Sequence, residues 1–545
     1  MKKTTLLTLA GWLLAFPAAR AQTIHFPDPN LEVAVRQALG IPSGDLTEDD
    51  LLTLTRLDAS NRGITNTTGL EFAINLTELD VSLNPVTDFS GLAALSNLQR
   101  LVFNIAGISD LSFLSGLENL TELEIYQNDI RDISLLTNLT ELTYLQLDWN
   151  PVTNHWPLTN LPNLERVSLA GNSVSSVEFV RFMPSLRHLG LYQNSVNDIS
   201  PLTGRTNLLS LGLGWNGVTN PAVLATLTGL EELWINGNFF TNVPFVSGLT
   251  NLRGLSLDYT GLADLSPVTN LWRLLWLNVG ENALTNLPNL SALTNLNTFI
   301  MAGNRIADLS PLTNLPALRN LHLQRNRFID VSPLTRCPLL DTLLLSGNPG
   351  ITNLPALVAL TNLDFLEFQE MGWSNLAPVV PLSALPKLRG LDLARNALTN
   401  LAPLTNFPAL TWLSVEDNRL EHIGPLLDLP ALWHVNLKWN YLNTNATAAA
   451  WNVITNLQAR GATVEYHPQY PSPTPTPIVL SAPTWLGGGQ FRFTISSAPG
   501  AMLEVLASTN LIHWASVGWV HNSTGSTNFT DAAPGVTRRF YRVRQ

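Results

Sequence analysis

Residues suited to catalysis or metal binding are few and scattered in this chain of 545 residues. The nine histidines form no His-Glu-x-x-His pair, and the one cysteine, Cys337, has no Cys-x-x-Cys partner, so the spacings of common zinc sites are missing. There is also no Gly-x-Ser-x-Gly elbow and no phosphate-binding loop,. We therefore predict that the protein is not an enzyme and needs neither a metal nor a cofactor. Cys337 is expected to be a small buried apolar residue.

Two short motifs have both a chemical and a structural interpretation. Asp45, Glu48, Asp49 and Asp50 supply carboxylates for calcium, but their spacing misses the EF-hand pattern,, and acidic residues are favourable at the start of a helix. The glycines at 487–489 suit a turn as well as a ligand cradle,. We favour helix capping for the first motif and a turn for the second.

Aromatic side chains point to a different kind of function, which is binding to a partner molecule. The predicted outward positions of successive strands carry Tyr126, Tyr144, Trp149, Tyr192, Trp215, Trp234, Tyr259 and Trp276. Exposed rings on a rigid backing are typical anchors of protein interfaces. The alternative is that these rings only pack against neighbouring strand residues. The same face is acidic, with Glu78, Asp80, Glu122, Glu124, Asp148, Glu232, Asp258 and Glu281 against Arg100 and Arg166.

A repeat positions these residues. The phrase Leu-x-x-Leu-x-Leu-x-x-Asn recurs, and its final residue, which we call the ladder position, falls at 62 and then every 22 residues for thirteen steps, followed by steps of 23, 25, 22 and 22. This period and pattern predict a leucine-rich repeat solenoid of about 18 turns, an α/β-type horseshoe or superhelix. We expect one short strand per turn in a parallel concave sheet and short 3₁₀ segments on the convex side.

Asparagine dominates the ladder position. Fourteen of the eighteen positions are Asn, and the exceptions are Arg62, Ala106, Thr260 and Met371. An Asn amide satisfies buried backbone groups where the chain bends after each strand. We therefore predict a structural ladder of Asn84, Asn128, Asn150, Asn172, Asn194, Asn216, Asn238, Asn282, Asn304, Asn326, Asn348, Asn396, Asn418 and Asn440.

The chain divides into several predicted segments. Lys2 and Lys3, the apolar stretch that follows and Ala19-Arg20-Ala21 predict a signal peptide at 1–21 and a secreted protein,. No later run is long and apolar enough for a transmembrane segment,. We expect a helical cap at 22–56, repeats at 57–445, a cap helix and strand at 446–467, a Pro-rich linker at 468–477 and a small all-β sandwich at 478–545,.

The charge composition limits the classes of partner that the protein is expected to bind. There are 30 Lys and Arg against 41 Asp and Glu, a net charge of −11. Nucleic acid is not expected, since binding phosphates requires clustered basic residues. A single cysteine also rules out a disulfide framework,.

The 22-residue period, the phrase Asp-Leu-Ser-Pro-Leu at 308–312 and the helical N-terminal cap resemble the internalin-like family of bacterial leucine-rich repeat proteins. The resemblance covers residues 24–467 and implies a curved, non-catalytic solenoid that binds protein partners, often at a cell surface. A wall-anchoring motif is missing. The stretch 507–511, Trp514 and the closing 540–543 resemble a short β-module that ends many secreted bacterial proteins.

The sequence therefore predicts a secreted protein that binds another protein through its concave face. The alternative is a glycan-binding surface or matrix module, because sugar rings also stack on Trp and Tyr.

Overall fold

The fold is described from a computed structural model covering residues 23–471, 478–487, 490–497, 501–532 and 539–544. The predicted signal peptide lies outside these residues, as does most of the predicted linker. The chain forms two compact units, the first comprising residues 1–284 and 292–296 and the second 285–291 and 297–545.

The first unit begins with a helical cap. Helix α1 spans Pro29–Leu39 and α2 spans Glu48–Leu51. Asp28 caps α1 by accepting hydrogen bonds from the backbone N–H groups of Asn30 (2.9 Å) and Leu31 (3.2 Å), and its other oxygen accepts from the Thr65 N–H at 2.7 Å. This single carboxylate therefore joins the cap to the first repeats. Thr47 and Asp50 form the capping box that their spacing predicts,.

Eleven parallel strands follow, each paired with the next in register. They are β1 Arg56–Asp58, β2 Glu78–Asp80, β3 Arg100–Val102, β4 Glu122–Glu124, β5 Tyr144–Gln146, β6 Arg166–Ser168, β7 His188–Gly190, β8 Ser210–Gly212, β9 Glu232–Trp234, β10 Gly254–Ser256 and β11 Trp276–Asn278. The middle residue of each strand, such as Leu145 in β5, is buried in the core. Its neighbours point outward because side chains alternate along a strand.

Short 3₁₀ helices return the chain between strands. In the first unit they are Leu70–Phe72, Ser112–Gly116, Ser134–Asn138, Trp156–Asn160, Glu178–Phe182, Ser200–Leu202, Pro221–Thr226, Pro244–Gly248 and Ser266–Val268. Many begin where an Asp accepts a hydrogen bond from the backbone of a Ser two residues later, as Asp198 does from the Ser200 N–H at 2.8 Å. Such turns keep each return segment short.

The Asn side chains hold successive turns together. Asn150, 1% exposed, donates to the carbonyls of Ile125 (2.8 Å) and Leu147 (2.9 Å) and accepts from the N–H of Ile130 at 3.1 Å. All fourteen ladder Asn residues donate to a carbonyl of their own repeat. Each amide thereby satisfies backbone groups that the bend leaves without partners.

The second unit repeats this design. Its parallel strands are β12 Thr298–Ile300, β13 Asn320–His322, β14 Thr342–Leu344, β15 Phe365–Glu367, β16 Gly390–Asp392, β17 Trp412–Ser414, β18 His434–Asn436 and β19 Thr463–Glu465, with helix α3 at Ala449–Ala459 before the last. Its 3₁₀ helices are Ser310–Asn314, Ser332–Arg336, Leu354–Ala359, Val380–Ala384, Ala402–Asn406 and Gly424–Asp428.

Gln469 continues the ladder beyond the last Asn. Its amide nitrogen donates to the Leu437 carbonyl at 2.9 Å, and its oxygen accepts from the N–H groups of Asn440 (3.1 Å) and Leu442 (3.3 Å). These are the contacts that an Asn would make one turn later. The cap of the repeats therefore extends to at least residue 469.

A small antiparallel domain ends the chain. One sheet contains β20 Val479–Gly487, β21 Gln490–Ser496 and β24 Ser526–Asp531, and the other contains β22 Ala501–Ser508, β23 Ala515–Asn522 and β25 Phe540–Arg544. Phe493 and Ile495 of the first sheet share a core with Leu503 and Val505 of the second. The predicted leucine-rich repeat solenoid followed by a small β-sandwich is thus confirmed.

Candidate functional site

The candidate site is the outward face of the parallel sheet in the first unit, which we call the sheet face. It consists of the first and third residues of β1–β11 together with the two residues that precede each ladder position. The eight predicted aromatics all lie on it, in three sets. Tyr144, Trp234 and Trp276 lie on strands, Tyr126 and Tyr192 lie just beyond them, and Trp149, Trp215 and Tyr259 directly precede the ladder position.

The last set is the most exposed. We call the residue directly before the ladder position the rim position. The rim rings of Trp149, Trp215 and Tyr259 are 48%, 44% and 50% exposed. Their φ angles of +58°, +54° and +55° fall in the left-handed region, which normally costs a non-glycine residue about 1–2 kcal/mol. All eighteen rim positions have a positive φ, and glycine occupies four of them, at 171, 237, 303 and 347.

The rim rings lie against their neighbours as well as facing solvent. Trp215 and Tyr259 are two repeats apart, yet their ring centroids are 5.7 Å apart. Between them is Gly237, where an added Cβ would stand only 2.6 Å from Cδ2 of Trp215. The rings are therefore packed on one side and exposed on the other, so the packing and contact interpretations apply to opposite sides of the same rings.

The strand rings are half-buried. Trp234 and Trp276 have centroids 6.2 Å apart, and Gly254 in the strand between leaves room for Trp276. Tyr144 lies beneath the Arg166 guanidinium, 4.8 Å from its ring centroid. Burial is the main cause of the raised pKa of the Tyr144 hydroxyl, so this ring stays neutral at physiological pH.

The two remaining aromatics differ in exposure. Tyr192 is exposed and its ring approaches Gly214. Tyr126 is half-buried, and its backbone N–H donates to Oδ1 of Asn104 at 2.9 Å. Both flank the strand rings on the side of the ladder.

Some of the carboxylates on the sheet face form ion pairs or hydrogen bonds with neighbouring strands. Arg100 pairs with Glu122 (3.2 Å) and with Glu124 (2.6 Å). Asp148 is buried and accepts from the Ser168 hydroxyl at 2.6 Å and the Ala170 N–H at 2.7 Å. The carboxylates thus fix neighbouring strands and also leave the face rich in negative charge.

Metal-binding groups are not assembled on the described part of the chain. No group of three or more His, Cys, Asp and Glu residues there has the arrangement of a metal site. Cys337 is buried, and burial raises its pKa to about 11, which makes it a poor nucleophile at neutral pH. No described helix has the length and apolar character required to cross a membrane.

Sequence reasoning missed two features of the outward faces. In the second unit, Trp412 contacts Phe365 (5.5 Å between centroids) and lies nearly parallel to His434, at 4° and 5.7 Å. In the first unit, small residues on β6–β8 leave a depression between Tyr144 and Trp234. Both consist of residues at the same strand position of neighbouring repeats, so a comparison of outward positions across repeats would have found them.

Comparisons with known proteins agree with this architecture. A family model for leucine-rich repeats, in two copies, matches residues 294–336. The solved structures that are similar to this chain include the internalin InlF of Listeria monocytogenes, which is 26% identical with a TM-score of 0.41 and covers 71% of this chain and 95% of its own. The functional domain of InlJ from the same organism is 19% identical (TM-score 0.44, 88% and 96% covered), and the mouse RP105/MD-1 complex is 18% identical (0.49, 75% and 94%). No curated protein sequence matches the chain.

Proposed function

We propose that this leucine-rich repeat protein binds another protein through the sheet face, with the rim rings as anchors and without catalysis. Leucine-rich repeat proteins commonly bind proteins, and the mouse neighbour above was solved as a complex. The observation that carries the proposal is that Trp149, Trp215 and Tyr259, three large rings at the same position of their repeats, stay about half exposed on one face of the sheet,.

The rings suit this role physically. Trp and Tyr supply large contact areas with few rotatable bonds, so ordering them on binding costs little entropy. Packing of Trp215 against Tyr259 over Gly237 restricts them further. The carboxylates around them favour a partner surface that is basic or of mixed charge.

A variant that replaces the rim rings by glycine tests the proposal. In the rim-glycine variant, Trp149→Gly, Trp215→Gly and Tyr259→Gly introduce the residue that other repeats already carry there, so left-handed strain is relieved while the anchors are lost. We expect the immobilised full chain to capture a protein from its native surroundings and the variant to recover about tenfold less of it.

The matched control is Trp156→Ala with Trp272→Ala, which removes two similarly exposed Trp rings from the return segments. These should leave capture unchanged. Equal recovery by the rim-glycine variant and the wild type would refute the proposal.

We further propose that the chain is secreted through residues 1–21, as the charged start, apolar stretch and small residues of that segment support,. Fusion of residues 1–30 to a reporter that is active only after export should give activity, with a processed N-terminus at Gln22. An intact, retained fusion would contradict it.

A glycan remains the second candidate because of the second unit. Trp412 and His434 lie nearly parallel on the outward side of the sheet, with ring centroids 5.7 Å apart, and sugar rings stack on aromatic side chains of this kind. Binding to a glycan array that is lost in Trp412→Ala, and kept in the rim-glycine variant, would favour this candidate.

A further inference from the structure

The depression on the sheet face of the first unit has a floor of one serine and two glycines. Ser168, Gly190 and Gly212 are the third residues of β6, β7 and β8 and pair with one another in register. Tyr144 on one side and Trp234 on the other enclose a volume of about 250 Å³. Three strands at about 4.8 Å spacing make it wide enough for one peptide side chain and its backbone.

The floor has room for a side chain at Gly212, whereas a Cβ on Gly190 would stand 2.8 Å from Oγ of Ser168. A Cβ on Gly212 would meet nothing closer than 3.7 Å, an ordinary van der Waals contact, and its backbone is not left-handed. A larger side chain at 212 would therefore project into the depression without straining the strand.

A cation without a carboxylate partner lines this space. Arg166 forms no ion pair among the described residues and stacks on Tyr144 instead. This contrasts with Arg100, three strands away, which pairs with both Glu122 and Glu124. Stacking on the ring orients the guanidinium but satisfies none of its five N–H donors.

His188 lies beside Arg166 in the same row, with Ser210 following it. Burial and the charge of Arg166 both lower the pKa of His188, so its ring is neutral at physiological pH and retains one N–H donor. The wall of the depression thus presents donors and one positive charge, whereas Glu122 and Glu124 on one side and Glu232 on the other are negative.

We infer that this depression accepts the carboxylate of an Asp or Glu side chain from an extended segment of the protein partner. Arg binds carboxylates in a bidentate manner, and such charge-assisted hydrogen bonds are strong and directional. The glycine floor allows the partner backbone to approach closely, with Tyr144 and Trp234 on either side. The inference rests on the proposed function and specifies the partner chemistry.

The surrounding charges make the contact selective. A uniformly acidic segment is repelled by the flanking carboxylates, and a uniformly basic one places like charge against Arg166. The segment that fits has one acidic residue among neutral or basic neighbours.

A library of random twelve-residue peptides displayed on phage, selected on the full-length chain, tests the inference. We expect the selected peptides to share one Asp or Glu at a fixed position. Changing that residue to its amide in a synthetic peptide should raise the Kd about tenfold for the wild type and less than about twofold for Arg166→Gln, because both changes remove the same contact.

Two further variants make the outcome unambiguous. Gly212→Val, which fills the depression, should abolish binding, while Arg187→Gln removes an exposed Arg of the next repeat outside the row and should leave it intact. The inference is overturned if selection yields no common acidic residue, if the amide peptide is weakened equally on Arg166→Gln, or if Gly212→Val still binds. Capture of the native partner that depends on the rim rings but not on Arg166 or Gly212 would leave the proposed function standing while refuting the inference.

Discussion

The rings of Trp215 and Tyr259 contact each other across an intervening repeat because Gly237 has no side chain. Their centroids are 5.7 Å apart, and a Cβ on Gly237 would come within 2.6 Å of Trp215. One glycine therefore sets the position of two rings on the proposed binding surface.

Gly237→Ala should destabilise the protein and displace Trp215. The left-handed φ of +68° adds strain, and the new methyl also collides with the indole. Gly261→Ala is the matched control, since its φ of +79° is also left-handed but nothing lies within 4 Å of the new Cβ. We expect the free energy of unfolding in urea to fall by about 1–3 kcal/mol more for Gly237→Ala than for the control. Equal losses would show that the ring contact is unimportant.

Removing a single buried Asn side chain of the ladder should lower the free energy of unfolding substantially. Asn150→Ala leaves the N–H of Ile130 without its partner and removes one of the two amides that donate to each of the carbonyls of Ile125 and Leu147. The loss of free energy of unfolding should be roughly 2–4 kcal/mol, because an unsatisfied buried group costs about 1–3 kcal/mol and each lost hydrogen bond about 0.5–1.5 kcal/mol. The exposed Asn163, whose amide donates to the Thr140 carbonyl at 3.0 Å, serves as the control. An Asn163→Ala loss as large as that of Asn150→Ala would contradict this role for the ladder.

Acid should weaken the first unit through His155. This ring is 6% exposed, and burial lowers its pKa to about 4 from 6.5. Since the unfolded chain binds a proton below pH 6.5 and the folded ring does not until about pH 4, the contribution is complete above 6.5 and is lost as pH falls between these values,. The loss should approach roughly 3 kcal/mol.

His155→Ile isolates this effect, because Ile133 occupies the corresponding position of the preceding repeat and is likewise buried. Denaturant unfolding at pH 7 and at pH 4.5 should show a smaller acid-induced loss for the variant. The same pH dependence in both proteins would assign the acid sensitivity to other groups.

Cys337 should resist thiol reagents in the folded protein. It is fully buried, and its thiol donates to the Leu312 carbonyl at 3.2 Å. With a pKa of about 11, little thiolate exists at pH 8. Labelling by a chromogenic disulfide reagent should therefore await unfolding in denaturant. Rapid labelling of the native protein would contradict this burial.

The repeats themselves were predictable because their period is constant. The 22-residue spacing alone predicted which residues are the buried middle residues of strands, such as Leu145, and which are the ladder residues, such as Asn150. The role of Gln469 was not predicted because this residue comes 29 positions after Asn440, outside the 22-residue period. Its longer side chain reaches the backbone groups that a ladder Asn would bond, but from a different backbone position. The depression was not predicted because no single one of Ser168, Gly190 and Gly212 indicates a site. The three residues form a floor only when their strands pair in register.

The central claim is that a protein partner lies on the sheet face, and site-specific photo-crosslinking tests it most directly. A benzophenone amino acid placed at Gln193, an exposed rim position between Gly171 and Trp215, should form an adduct with the partner on irradiation of the complex. The same group at Phe182, on the exposed return segment of the preceding turn, should form none. An adduct from position 182 with none from position 193 would contradict the account.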